Sequence, residues 1–203
     1  EAVFRERHGL PFNIIDRDIS TQSRVIEAVD RLLALPTSHF DLASVRKLLV
    51  HPSVGGAIAL DLGRWRGWCD ELNIVRGADA QDLQDTYIEG DVFHWDQALI
   101  RMSLGTLMGQ TDREEPEVFS SEAGRWLPKQ TPMDQRNDVA RFVTLARKLI
   151  EDAKGARSAR MTLTNWARYL TRLVSLYIQP DGSADEAALT QCIAVIERLK
   201  NAD

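Results

Sequence analysis

Apolar residues recur along most of this chain at intervals of three and four, the spacing that lines one face of an α-helix. A short apolar run from Leu10 to Ile15 reads as a strand. Ser20 and Thr21 then open a helix with Val25, Val29, Leu32 and Leu33 on one face, and Pro36 ends it. Asp41 caps a second helix with an inner face of Leu42, Val45, Leu48 and Leu49, stopped at His51 and Pro52. Gly55 and Gly56 mark a break before the stripe Leu62, Trp65, Cys69 and Leu72. Residues 74–90 are polar and read as a long connection.

A helix from about Val92 to Met108 follows, with Trp95, Leu99, Met102 and Thr106 on one side. Residues 109–131 hold Gly109, Pro116, Gly124 and Pro128 among acidic and polar residues, the composition of a surface excursion. Thr131 stands as an N-cap before Pro132, and Val139, Phe142, Ala146, Leu149 and Ala153 carry that helix to Gly155. Thr162 caps the next helix, with Trp166, Leu170, Leu173 and Tyr177 aligned up to Pro180. Ser183 and Glu186 form a capping box for the last, whose stripe is Leu189, Ile193, Ile196 and Leu199. The pattern predicts a mainly α-helical fold of about seven helices, with one short N-terminal strand. No half buries all of its faces alone, so the expected division is a strand-and-linker segment over 1–19 and one helical domain over 20–203.

Composition narrows the class. The 203 residues are 44% hydrophobic and 27% charged, ordinary for a globular protein, and nothing approaches the apolar length of a membrane helix. The chain opens at Glu1 without Met and with a strand at its edge, which leads us to expect a piece of a longer protein. Cys69 and Cys192 lie far apart within helical patterns, so free thiols and a cytoplasmic setting are expected. A net charge of −5 argues against a self-sufficient nucleic-acid binder, though not against one wall of a channel.

Catalytic constellations are absent from the pattern. There is no phosphate-cradling G-x-x-x-x-G-K-[ST] loop, and no His pair at i, i+4 or C-x-x-C for a metal. Ser44 and Lys47 spell S-x-x-K, but its companion motifs are missing. Asp134 with Asp152 and Lys154 follows the order of a PD-(D/E)xK nuclease. On one helix these acids stand about 27 Å apart at ~1.5 Å per residue, too far to share a metal. No cofactor, metal or catalytic residue is therefore expected.

What remains is contact chemistry. Trp65, Trp95 and Trp166 coincide with apolar stripes and read as core. Trp68, off its stripe, and Trp126, in the excursion, are free to stack on unpaired bases. Lys148, Lys154, Arg157 and Arg160 cluster toward a helix end, where they offset the helix dipole or meet phosphate. These six are the candidate DNA-contact residues.

The order of segments also resembles a known family. Leu10, Pro11 and Phe12, Asp16, the run Leu32 to Pro36, Ser38, His39 and Phe40, then Leu48, Leu49 and Pro52 follow the RecC/AddB-like family of exodeoxyribonuclease V gamma subunits. His39 stands where that pattern has Arg. Trp68, Ile74, Gly77 and Asp79 continue it, with Arg76 in place of a second Trp. Phe93, His94 and Trp95, then Leu99, Arg101, Leu104, Gly105 and Met108, and later Leu163, Asn165, Trp166 and Tyr177 to Pro180, keep the same order.

The resemblance implies a 2B-like accessory subdomain of an inactive superfamily 1 helicase fold, without an ATPase motif. Residues 10–15 would then be a remnant of a RecA-like domain. The implied role is to shape a DNA channel and hold neighbouring subunits in DNA recombination and repair, with DNA bound weakly or only in the full complex. ATP hydrolysis and exonuclease activity would belong to the parent assembly. The alternative, which the acidic balance favours, is a helical protein–protein interaction or regulatory domain without DNA contact.

Overall fold

Ser23 begins what a computed structural model of the chain describes, namely residues 23–55, 61–84, 86–87, 92–108, 118–122 and 124–201. The strand at 10–15, the segment 1–19 and the caps Ser20 and Thr21 lie outside the described residues. Ser23 itself caps helix α1 (Arg24–Ala34), accepting from the Ile26 N–H. Val25, Val29 and Leu32 turn inward, whereas Leu33 is exposed. A 3-10 turn, Leu35–Thr37, carries Pro36 and ends the helix. Asp41 caps α2 (Leu42–Leu49) through the Ser44 N–H. Burial pushes the Asp41 carboxyl up, but hydrogen bonds from Ser44 and the adjoining backbone outweigh it and hold it below its usual value.

A four-residue helix α3 (Pro52–Gly55) adds an element that the periodicity did not predict. Helix α4 spans Leu62–Glu71 and α5 Trp95–Met108. Helices α6 (Arg136–Ser158), α7 (Leu163–Tyr177) and α8 (Ser183–Glu197) complete the set. All seven expected helices are present, and the fold is mainly α. Phe142 of α6 sits at the centre of the core. Its ring meets Trp65 at 4.3 Å, Trp68 at 5.9 Å and Trp95 at 6.5 Å between centroids. Helix α6 packs on α5, while α8 lies against both α1 and α7.

Five local expectations change. The polar connection after residue 74 is not a loose loop. Val75 and Arg76 donate their N–H groups to the Phe93 carbonyl, Gly77 to His39, Trp95 to Gly77 and Leu42 to Val75. This lacing holds His39 and Phe40 at φ of 52° and 51°, a strained pair fixed by full burial of the Phe40 ring and by Trp95 Nε1 donating to the Phe40 carbonyl at 2.8 Å.

The described part of the 109–131 excursion is ordered. Strands β1 (Phe119–Ser121) and β2 (Gly124–Trp126) pair antiparallel, and the chain beyond them runs along α5. There Lys129 N–H donates to the Arg101 carbonyl at 2.9 Å. A Cβ at Gly105 would stand 1.7 Å from the Lys129 carbonyl oxygen, so only glycine permits this approach.

Thr131 is not the cap of α6. Its hydroxyl donates to the Lys129 carbonyl, and the helix starts from a 3-10 turn at Met133–Gln135. Nor does Gly155 end α6, since one exposed glycine costs a 23-residue helix only about 1 kcal/mol. The Ser183–Glu186 capping box also fails. Gly182, at φ 93°, precedes the helix, Ser183 is already helical, and the Asp185 carboxylate accepts from the Asp181 N–H. Thr162 does cap α7 as expected.

Candidate nucleic-acid interface

Charge is unevenly placed along the chain. Between Arg136 and Arg172 lie nine of the 25 Lys and Arg residues but only three of the 30 Asp and Glu. That stretch is α6, the turn after it and most of α7. The net negative charge therefore resides elsewhere, and these two helices form a basic element within an acidic chain.

The structure divides the expected cations. Lys154 pairs with Asp79, and Arg157 with Asp82 at 2.6 Å. The Arg157 guanidinium also donates to the Pro36 carbonyl at 2.9 Å and lies 4.9 Å from the Phe40 ring centroid. Asp82 in turn accepts the Ala78 N–H. Burial raises the Asp79 carboxyl, but the Lys154 hydrogen bond and charge, with N–H groups of the 81–82 turn, hold it below its usual value. Both cations thus fasten the laced connection to the end of α6. Arg160, in the turn before α7, is exposed and has no ion partner among the described residues.

Lys148 sits differently. Its Nζ is 3.8 Å from Asp152 Oδ2, one turn along the helix, and Arg172 of α7 approaches Asp152 Oδ1 at 3.9 Å. Tyr177 donates its hydroxyl to Asp152 Oδ2 at 2.8 Å, and Tyr169 donates to the Asp152 backbone carbonyl. Burial first, then the Asp152 charge, push both tyrosine hydroxyls up, so both remain protonated donors. Trp166 meets Tyr169 edge-on at 5.8 Å.

The aromatic expectations shift accordingly. Trp68 is only 5% exposed and packs on Phe142, so it offers no face to a base. An indole one turn from the stripe still reaches a core whose centre is another aromatic ring. Trp126 is half-buried, its ring lying over Gly124 and 6.4 Å from Phe119. Trp166, assigned to the core with Trp65 and Trp95, is only half-buried, while those two are buried. The inward positions of α7 are Ala167, Leu173, Val174 and Tyr177. The structure therefore brings Lys148, Arg172, Tyr169 and Tyr177 together on Asp152, with Trp166 against Tyr169, a group not assembled from sequence. Their signal was the i, i+3 spacing of 166 with 169 and of 169 with 172, which makes each a neighbour of the next on the helix surface.

Elsewhere, His39 and Arg76 line one cavity of about 250 Å3 with Gly77, Gln81, Asp82 and Thr86. These are two positions where the chain departs from the motifs it otherwise follows. Cys69 is buried, and desolvation chiefly, with Asp70, pushes its thiol up to about 12, which leaves it unreactive. Among the described residues no three His, Cys, Asp or Glu side chains come together as metal ligands. Asp152 is approached by Lys148 and Arg172, Lys154 pairs with Asp79, and Asp134 stands apart in the 3-10 turn before α6. No helix among the described residues is long and apolar enough to cross a membrane.

Two comparisons bear on this geometry. Residues 22–203 match the family model described as the RecBCD enzyme subunit RecC fourth domain. No curated protein matches the chain.

Proposed function

This chain belongs to the RecC fourth-domain family, and on that premise we propose that it is a non-catalytic, 2B-like helical module of a RecC/AddB-type subunit in DNA double-strand-break repair and recombination. The family places it with a multi-subunit DNA-repair enzyme. In this reading the module shapes one wall of a DNA channel and holds neighbouring parts of the assembly in the cytoplasm. ATP hydrolysis and strand cleavage are carried out elsewhere, and this chain needs no cofactor.

One observation carries the DNA part: nine cations against three anions across α6 and α7, in a chain of net charge −5. Backbone phosphates respond to such local fields, and a single wall of a channel does not need a positive total. The exposed apolar side chains support the holding role. Leu107 at the end of α5 and Met133 before α6 are 81% and 77% exposed, and Phe119 and Leu127 of the hairpin region are partly so. Side chains of this kind are suited to burial against a neighbouring domain or subunit.

A purified chain titrated with single-stranded and forked DNA should bind at low salt and release steeply as salt rises. It should hydrolyse no ATP and cut no DNA. Absence of binding at any salt would favour the second reading, a helical interaction module without DNA contact, to which the same exposed apolar side chains and acidic total point.

A further inference from the structure

Asp152 is the convergence point of the basic face. Its side chain is 14% exposed, while the two cations that approach it, Lys148 and Arg172, are 47% and 65% exposed. At 3.8 and 3.9 Å neither cation makes a direct hydrogen bond to the carboxylate, whose firm partner is the Tyr177 hydroxyl at 2.8 Å. Two partly exposed positive charges therefore share one mostly buried negative charge, and their side chains stay open to solvent. The half-buried Tyr169 is anchored through its hydroxyl to the backbone carbonyl of the same Asp152, and the half-buried Trp166 meets the Tyr169 ring edge-on at 5.8 Å. Cations flanked by partly exposed rings are the combination that holds unpaired nucleotides: the cations take phosphate and the rings take base faces. A duplex, with its bases already stacked inside, uses only the cations.

We propose that the face of α6 and α7 around Asp152 is a single-stranded DNA site, with Lys148 and Arg172 on a phosphate, Trp166 as the stacking ring, and Asp152 as a built-in counter-charge that keeps the contact weak. The proposal rests on the DNA-contact reading above. Asp152 competes with an incoming phosphate for the same two cations, so each nucleotide is held only until the carboxylate reclaims them. That suits a surface past which a strand must move. It differs from the Lys154 and Arg157 end of the helix, where each cation is held in a close pair with its own carboxylate.

The test is a binding titration of the full chain with labelled oligo-dT, the corresponding duplex and polyglutamate at low salt. Oligo-dT should bind more tightly than either, and binding should quench indole emission. Lys148→Glu with Arg172→Glu should weaken oligo-dT binding at least tenfold. Trp166→Phe should remove most of the quench. Asp152→Asn keeps an acceptor for Tyr177 but removes the charge, and should tighten binding about fivefold, the factor one unit charge carries at ~4 Å in water. A purely structural Asp152 predicts no tightening.

Equal binding of duplex or polyglutamate would overturn the single-strand assignment. If oligo-dT binds and these variants leave its affinity unchanged, the site is wrong and the DNA-contact reading stands. If no DNA binds at all, both fall. Should Asp152→Asn lose its helical circular dichroism, Lys148→Gln decides: a threefold or greater loss supports the site, and no change overturns it.

Discussion

The two cation pairs that α6 presents, Lys154 with Arg157 and Lys148 with Arg172 of α7, are chemically alike and structurally opposite. Near the helix end, each cation has its own carboxylate from the laced connection, and Arg157 adds a carbonyl and an aromatic ring. In the middle, two cations share one carboxylate at distances too long for a hydrogen bond. The first arrangement holds a loop and the second leaves charge facing outward. Counting basic residues therefore overstates the binding capacity of one end and understates the other, because partners, and not residue types, set what a charge is free to do.

The contrast can be tested from its common foundation outward. Phe142→Ala removes the ring shared by Trp65, Trp68 and Trp95, and should cost about 3–5 kcal/mol in urea unfolding, disturbing both regions at once. Asp82→Ala strands Arg157 and the Ala78 N–H. It should cost about 2 kcal/mol while leaving DNA affinity nearly unchanged, which separates fastening from binding.

The Asp79 carboxyl is held below 3.8, so its contribution is present above that value and lost as pH falls through the lower folded value. The urea midpoint should drop below about pH 4, and the drop should be smaller in Asp79→Asn. The smallest effect belongs to Arg160→Ala: stability within about 0.5 kcal/mol, and a salt slope of DNA binding reduced by about 0.7 if that residue meets phosphate.

Much of the fold was legible from periodicity. The buried faces Val139, Phe142, Ala146, Leu149 and Ala153, or Val45, Leu48 and Leu49, follow directly from spacing, because one helical turn repeats whatever the neighbours are. Caps were legible where a side chain reached its own backbone, as at Asp41 and Thr162. They failed where the side chain found a partner other than its own helix's first N–H groups. Thr131 turns to the Lys129 carbonyl, and Asp185 serves both the Asp181 N–H and Arg24 of α1. The short hairpin was hidden by its polar composition.

The candidate site was half legible. Lys148 was singled out, but Arg172, Tyr169 and Trp166 were not joined to it, since their meeting depends on how α7 lies against α6. Trp68 shows the converse: a residue off the apolar stripe is buried because Phe142 of α6 packs against its ring at 5.9 Å.

The sequence alone determined that this is a helical chain, which residues line most helix faces, and that its segments follow the order of the RecC/AddB-like family. Those are properties of local spacing and of motif order, which need no knowledge of contacts. Only the tertiary structure decided which charges are neutralised, which tryptophans are covered, and which loop is fastened. Each of those depends on residues far apart in the chain coming within a few ångströms, where Coulomb attraction and desolvation act and where sequence separation carries no information.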